Sequence, residues 1–299
     1  MMDQTIVNFG ENNHILGILS HPENSTNKNN DLPALILLNA GIIYRIGPNR
    51  IYVKMAKEFA KNGFTTLRFD YSGLGDSVIY QDEEAFDSYQ INECIDAMDF
   101  LEKETGTSKF ILIGICSGGD VGFNTAIKDN RVAGIILING QLHEMEILRL
   151  LSPIIDKNIN IRYYKKNLFN YKRWLKLISG KSFALKNIKY ILSDRSHKKS
   201  GKNEIPISQN FSTDNWEHLI NRNIEIFLIY SQGSIGYDIF NLTLAKYMKK
   251  YIEMKKVDFK LIKDTDHVFT PQWSQDYLAA TVVKWMKKKF LQTSAAHQF

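Results

Sequence analysis

A short glycine-rich stretch, Gly114-Ile115-Cys116-Ser117-Gly118, has the residue types and spacing of a nucleophilic site. It follows an apolar run at residues 110–113 and precedes a helical pattern at residues 120–129. A buried strand that turns sharply into a helix and exposes one reactive side chain is typical of a nucleophile elbow. Small residues are needed two positions before and after the nucleophile, because the strand and helix backbones approach closely. This spacing selects Cys116, since Ser117 at the tip would place Ile115 in a tight position.

The following helix would place unpaired N–H groups and its positive dipole end beside Cys116. A thiolate is stabilised in such a place, so we expect a reactive cysteine. The alternative is an inert buried thiol, the commoner fate of an isolated cysteine. Cys94, the second cysteine, lies in a helical apolar pattern at residues 91–101 and is predicted to be a core residue.

The composition is that of an ordinary soluble globular protein, with 299 residues, 44% hydrophobic and 23% charged. A chain of this length fits one α/β domain with an insertion. Two cysteines imply no disulfide framework, and residues 1–13 lack the apolar run of a signal peptide. Without an apolar stretch of membrane-spanning length, we expect a cytoplasmic protein with no transmembrane segment. The oligomeric state stays open.

Strand-like and helical patterns alternate along most of the chain. A hairpin is predicted at residues 5–9 and 14–21, followed by strands at 35–38, 64–69, 110–115, 132–138, 224–230 and 257–262. Helices are predicted at 50–62, 83–104, 120–129, 238–251 and 274–290. This alternation predicts an α/β fold with a mostly parallel eight-stranded sheet covered by helices on both faces. Residues 1–140 and 223–299 would form the core, and residues 141–222 a helical cap inserted after strand 6.

Over nearly the whole chain this order resembles the α/β-hydrolase fold. Within that fold, several motifs resemble the hydrolases associated with exosortase and exopolysaccharide gene clusters, which carry cysteine at the elbow. The motifs are Asn39-Ala40-Gly41, Arg45-Ile46-Gly47-Pro48-Asn49-Arg50, Arg68-Phe69-Asp70, Gly73-Leu74-Gly75-Asp76-Ser77 and Gly114-Ile115-Cys116-Ser117-Gly118.

The resemblance implies a histidine after the last strand, and His267 stands there. It also implies an acid shortly after the strand at 224–230, but the usual position for that acid is nearest to Ser234 in this chain. Asp238 is the carboxylate of that loop and is the predicted orienting group, although it could instead cap the following helix. Glu144, after the sixth strand, is the reserve candidate.

The resemblance further predicts an oxyanion hole made by backbone N–H groups of Ser117 and of the turn after the first central strand, at Gly41 or Ile42. Arg45 and Arg50 lie near the same mouth of the fold. They bind substrate anions or form structural ion pairs, and the sequence leaves both interpretations open.

The insertion is strongly basic. Residues 157–202 hold 14 Lys and Arg against one acid, Asp194, in a chain whose net charge is +6. We expect a cationic cap that recruits an anionic partner, such as an acidic acyl carrier protein, a coenzyme A derivative, an acidic polysaccharide or an anionic membrane surface. The candidate contact residues are Lys165, Lys166, Lys172 and Arg173. The alternative is a solvated helical face, and without a nucleic-acid motif no nucleic acid is expected.

Together these residues predict a Cys116–His267–Asp238 triad that forms an S-acyl-enzyme intermediate and hydrolyses an ester or thioester. Acyl transfer to an acceptor other than water is the first alternative. A non-catalytic binding protein of the same fold is the second. No metal or other cofactor is expected in any of the three.

Overall fold

The computed structural model describes residues 3–23, 32–79, 86–140 and 213–291. By its internal contacts the chain divides into two units, Met1–His143 with Ser212–Phe299, and Glu144–Phe211. All described residues lie in the first unit. Its strands are β1 (Gln4–Phe9), β2 (Ile15–Ser20), β3 (Ala34–Leu38), β4 (Thr66–Phe69), β5 (Phe110–Ile115), β6 (Val132–Ile138), β7 (Glu225–Gly233) and β8 (Val257–Asp266).

These strands form one eight-stranded sheet in the order β1-β2-β4-β3-β5-β6-β7-β8. The β1–β2 hairpin and the β2–β4 pair are antiparallel, and every pair from β4 to β8 is parallel. The predicted mostly parallel sheet is therefore confirmed. Its order places the carboxyl ends of β3 and β5 to β8 along one edge, where residues from distant parts of the chain meet.

The α-helices of the described residues are α1 (Ile51–Lys61), α2 (Phe86–Thr105), α3 (Ser117–Lys128), α4 (Asp214–Asn221), α5 (Ile235–Leu242), α6 (Ala245–Glu253) and α7 (Gln272–Met286). Every residue of β3 and of β5 is buried, as expected for central parallel strands covered on both faces. One apolar cluster joins the central strands to α1 and α7. Cys94, on α2, is fully buried, as predicted.

Several elements differ from the sequence-based prediction. The helix expected at residues 238–251 is two helices, because the Thr243 N–H bonds back to Ile239 and Phe240 and ends α5. Strand β8 continues to Asp266, since the end of β7 pairs with it through Gly233. Helix α4 falls within the predicted insertion but packs against the core, where the Trp216 ring lies 4.5 Å from that of Phe123.

In the part of the chain that the structure describes, no helix is both long enough and apolar enough to cross a membrane.

Candidate functional site

Cys116 is the single residue between β5 and α3, and its backbone has φ 57° and ψ −127°. A positive φ is costly for a side chain other than glycine, so it persists only where surrounding contacts impose it. Two hydrogen bonds do so: the Cys116 N–H donates to Ile138 O at 2.8 Å, and the Gly119 N–H donates to Cys116 O at 2.9 Å. The turn thus presents the Cys116 side chain at the carboxyl edge of the sheet.

Gly114 and Gly118, on either side of this turn, lie against neighbouring backbone atoms without room for a side chain. A Cβ atom on Gly114 would overlap the backbone of Gly118. A Cβ atom on Gly118 would lie 2.6 Å from the carbonyl oxygens of Leu38 and Asn39. At Gly119 the nearest atom would be 3.4 Å away, which is ordinary contact. The tight positions are therefore those expected for Cys116 at the tip, and not those expected for Ser117.

The thiol itself differs from the sequence-based expectation of a stabilised thiolate. Burial raises the pKa of the Cys116 thiol above its ordinary value, and the Asp120 carboxylate on the first turn of α3 adds to this rise. The hydrogen bond from the Ser117 backbone N–H lowers the pKa but does not outweigh burial. Partial burial of the side chain therefore favours the neutral thiol over the thiolate.

The turn after β3 lies against the start of α3. The Gly41 N–H donates to Ser117 Oγ at 2.8 Å, and Gly41 has φ 58°. The next residue, Ile42, is 83% exposed. The three residues predicted for the oxyanion hole thus lie on two adjoining turns. One predicted donor, the Gly41 N–H, is engaged by the Ser117 hydroxyl in this structure.

His267 directly follows β8, as predicted, and is held by residues of the neighbouring strands. The Asn139 amide, fully buried after β6, donates to the His267 backbone carbonyl at 2.8 Å. The oxygen of the same Asn139 side chain accepts from the Ser231 N–H at 2.7 Å. Because Ile138 binds the Cys116 N–H, adjacent residues at the end of β6 anchor both the Cys116 turn and the His267 turn.

The orienting partner of His267 is a serine. Its Nδ1 atom is hydrogen-bonded to Ser234 Oγ at 2.8 Å. Ser234 also caps α5, because its Oγ accepts from the Gly236 N–H at 3.1 Å. Asp238, the predicted orienting acid, is buried in the first turn of α5. Ser234 therefore occupies the orienting position next to His267, and a carboxylate in the first turn of a helix has its own favourable interaction with the helix dipole.

The imidazole is partly buried, and burial lowers the pKa of His267 below its ordinary value. The adjacent Asp266 carboxylate offsets part of that decrease. The shifts of both pKa values, downward for His267 and upward for Cys116, favour the neutral form of each side chain.

Arg45 forms ion pairs instead of facing solvent as a free cation. Its guanidinium contacts the carboxylates of Asp70 and Asp76, and its backbone N–H donates to Asp70 Oδ1 at 2.5 Å. The Asp70 side chain is fully buried, so this contact ties the loop after β3 to the end of β4. Of the two interpretations, the structure favours structural ion pairing for Arg45. Arg50 is exposed, at the start of α1.

Several predicted residues lie outside the described residues: Glu144, Lys165, Lys166, Lys172 and Arg173. Among the residues that are described, no group of three His, Cys, Asp or Glu side chains is arranged to hold a metal ion.

Sequence reasoning missed two residues that support the site. Asn139 gives a signal only in hindsight, as a polar residue directly after a buried strand. Tyr52 lies within an apolar helix face, yet its buried hydroxyl donates to Leu38 O at 2.6 Å and accepts from the Ile115 N–H at 3.0 Å. It thus fastens the end of β3 to the residue before Cys116.

Comparison with known proteins agrees with the fold described above. Residues 34–285 match the family model described as the alpha/beta hydrolase fold. No curated protein matches the chain by sequence.

Solved structures resemble the chain at low sequence identity. An alpha-beta serine hydrolase homologue from Coxiella burnetii has a TM-score of 0.53 at 10% identity, covering 94% of this chain and 96% of its own. The esterase Pf2001 from Pyrococcus furiosus has a TM-score of 0.51 at 13% identity, with coverage of 97% and 93%. The alpha/beta hydrolase GrgF from Penicillium sp. sh18 has a TM-score of 0.54 at 15% identity, with coverage of 97% and 99%. At these identities the solved structures show similarity of fold alone. Because the family model covers most of the chain, the chain belongs to the α/β-hydrolase fold family.

Proposed function

We propose that this protein hydrolyses an ester or thioester, with Cys116 as nucleophile and His267 as general base. The observation that carries the proposal is the backbone of Cys116, a non-glycine residue held at positive φ between two glycines whose contacts leave no room for a Cβ atom. This geometry costs stability, and strain between two such closely packed glycines is typical of a turn that presents a nucleophile.

The first half of the reaction transfers the acyl group to sulfur. Because both groups start neutral, His267 removes the thiol proton as Cys116 Sγ attacks the acyl carbon, and no stable thiolate–imidazolium pair precedes the attack. The carbonyl oxygen becomes an oxyanion, and the Ser117 N–H is its first donor. Gly41 or Ile42 supplies the second. When the tetrahedral intermediate collapses, the imidazolium returns the proton to the leaving alcohol or thiol, and an S-acyl enzyme forms.

The second half releases the acyl group. His267 takes a proton from water while the water oxygen attacks the thioester carbon, and the carbon–sulfur bond then breaks. The products are a free carboxylic acid and the regenerated Cys116 thiol. Ser234, bonded to Nδ1, orients the imidazole in both halves.

We propose an anionic acyl substrate, carried by an acidic acyl carrier protein or coenzyme A, on the basis of the basic segment at residues 157–202. Arg45 adds little to this attraction because Asp70 and Asp76 neutralise it. The cytoplasm, where such carriers occur, is the proposed location.

The test compares three variants on p-nitrophenyl acetate and on acyl-coenzyme A substrates. Cys116→Ala and His267→Ala should lose turnover, while Ser117→Ala should keep most of it, since removal of the hydroxyl leaves the Gly41 N–H available to an oxyanion. Intact-mass spectrometry of quenched reactions should find an acyl adduct on the wild type and none on Cys116→Ala. Full activity in a folded Cys116→Ala protein would show that another residue is the nucleophile, and inactivity of the wild type on every ester and thioester would favour a binding protein.

A further inference from the structure

The residue that orients His267 carries no charge. Ser234 is completely buried, and it lies beside His267 because Gly233, at the end of β7, pairs with Asp266, at the end of β8. The residues that follow this pair are therefore neighbours, and Ser234 Oγ lies 2.8 Å from His267 Nδ1. Strand register therefore brings the two residues together, and their side chains complete the contact.

A hydroxyl group differs from a carboxylate in what it can do for an imidazole. A carboxylate only accepts hydrogen bonds, so it fixes the proton on Nδ1 and leaves the Nε2 lone pair free to act as a base. Ser234 Oγ already accepts from the Gly236 N–H, which leaves it one lone pair and one proton. It can accept from Nδ1–H, or it can donate to Nδ1, in which case Nε2 carries the proton and cannot act as a base.

The second difference appears when the imidazole takes up a proton. A carboxylate next to Nδ1 stabilises the imidazolium that forms in the transition state. Ser234 offers only a dipole. The adjacent Asp266 carboxylate raises the pKa of His267, but burial outweighs this effect. Asp266 accepts from the Thr270 N–H at 2.9 Å, whereas Nδ1 is hydrogen-bonded to Ser234.

The two half-reactions place unequal demands on this base. In the first half the proton comes from a thiol, whose ordinary pKa is about 8.5. In the second half it comes from water, whose pKa is about 15.7. A weakly supported imidazole therefore hinders attack by water far more than attack by the thiol.

We propose that Ser234 is an uncharged positioning residue, and that its presence makes release of the acyl group from Cys116 to water the slow step of turnover. The inference rests on the proposed function, because it requires an S-acyl enzyme. Its consequence is an acyl-enzyme that persists long enough to react with nucleophiles stronger than water. An amine or a hydroxylamine would attack the thioester with less help from His267.

The experiment measures p-nitrophenol release from p-nitrophenyl acetate in a stopped-flow instrument. The wild-type protein should show a burst of about one product equivalent per active site, followed by slower steady turnover. Added hydroxylamine should raise the steady rate at least several-fold without changing the burst rate, and acetohydroxamate should appear as product. A linear trace with no burst, or a steady rate indifferent to hydroxylamine, would overturn the proposal.

A matched pair of variants separates charge from size. Ser234→Asp places a carboxylate beside Nδ1, and Ser234→Asn places an uncharged group of the same size there; both residues cap helices well. The Asp variant should raise the steady rate at least tenfold over the Asn variant and shrink the burst, while the two burst rates stay similar. Equal steady rates in two variants that both give a burst would contradict the proposed role of Ser234. If the Asp variant fails to fold, the burst and the hydroxylamine response of the wild type still test whether release of the acyl group is the slow step.

Failure of this inference is distinguishable from failure of the proposed function. Turnover that needs Cys116 but shows no burst refutes only the slow release of the acyl group. The absence of turnover and of any adduct on Cys116 refutes the nucleophile itself.

Discussion

Two buried tyrosines provide a matched test of the contacts beneath the Cys116 turn. Tyr52 and Tyr71 are both almost completely buried, at 0% and 1% exposure. The Tyr52 hydroxyl has two partners, Leu38 O and the Ile115 N–H. The Tyr71 hydroxyl has no hydrogen-bond partner within the described residues. Replacing each tyrosine by phenylalanine removes the same atom from two opposite environments.

The expected free energies of unfolding follow from these partners. Tyr52→Phe leaves one buried N–H and one buried carbonyl unsatisfied, and each such group costs about 1–3 kcal/mol. The variant should therefore be less stable than the wild type by about 2–6 kcal/mol. Tyr71→Phe removes a polar atom that is buried without a partner, so it should be neutral or more stable by up to about 1 kcal/mol.

Urea denaturation of the wild type and both variants, followed by tryptophan fluorescence, measures the difference. The free energy of unfolding should fall with urea concentration at the same slope in all three proteins, so that the midpoints report stability directly. Tyr52→Phe should also lose turnover, because the hydroxyl holds the residue before Cys116. Equal midpoints for the two variants, or a less stable Tyr71→Phe, would refute the reasoning from hydrogen-bond partners.

Three further predictions concern the site. Gly118→Ala should lower the free energy of unfolding by about 1–3 kcal/mol and remove most of the activity, because its Cβ atom would meet two carbonyl oxygens at 2.6 Å. Gly119→Ala should keep activity and raise the free energy of unfolding by up to about 1 kcal/mol. Equal melting temperatures of the two variants would contradict the close contact. The rate of Cys116 alkylation by iodoacetamide should still be rising above about pH 8.5, the ordinary pKa of a thiol, because burial raises the pKa of Cys116. Cys116→Ala gives the background rate, and a plateau already reached near neutral pH would indicate a thiolate. Arg45→Met should lower the free energy of unfolding by about 3–5 kcal/mol by leaving the buried Asp70 carboxylate unpaired, and unchanged stability with a raised KM for an anionic substrate would instead assign Arg45 to substrate binding.

The sequence by itself was sufficient to predict the sheet and the place of Cys116 and His267. Continuous apolar runs such as residues 110–113 are typical of buried strands, and their alternation with helical patterns indicates a parallel sheet, so the order of elements follows from pattern and chain connectivity. The spacing of Gly114 and Gly118 around Cys116 reflects a local backbone constraint, which is why it could be recognised without any tertiary information.

Only the tertiary structure decided what surrounds these residues. Ser234 lies within hydrogen-bond distance of His267 Nδ1 because the pairing of Gly233 with Asp266 sets which residues become neighbours, and register between strands cannot be read from either strand alone. The raised pKa of Cys116 likewise depends on burial by residues far away in the chain, which outweighs the local effect of the helix start that the sequence did indicate.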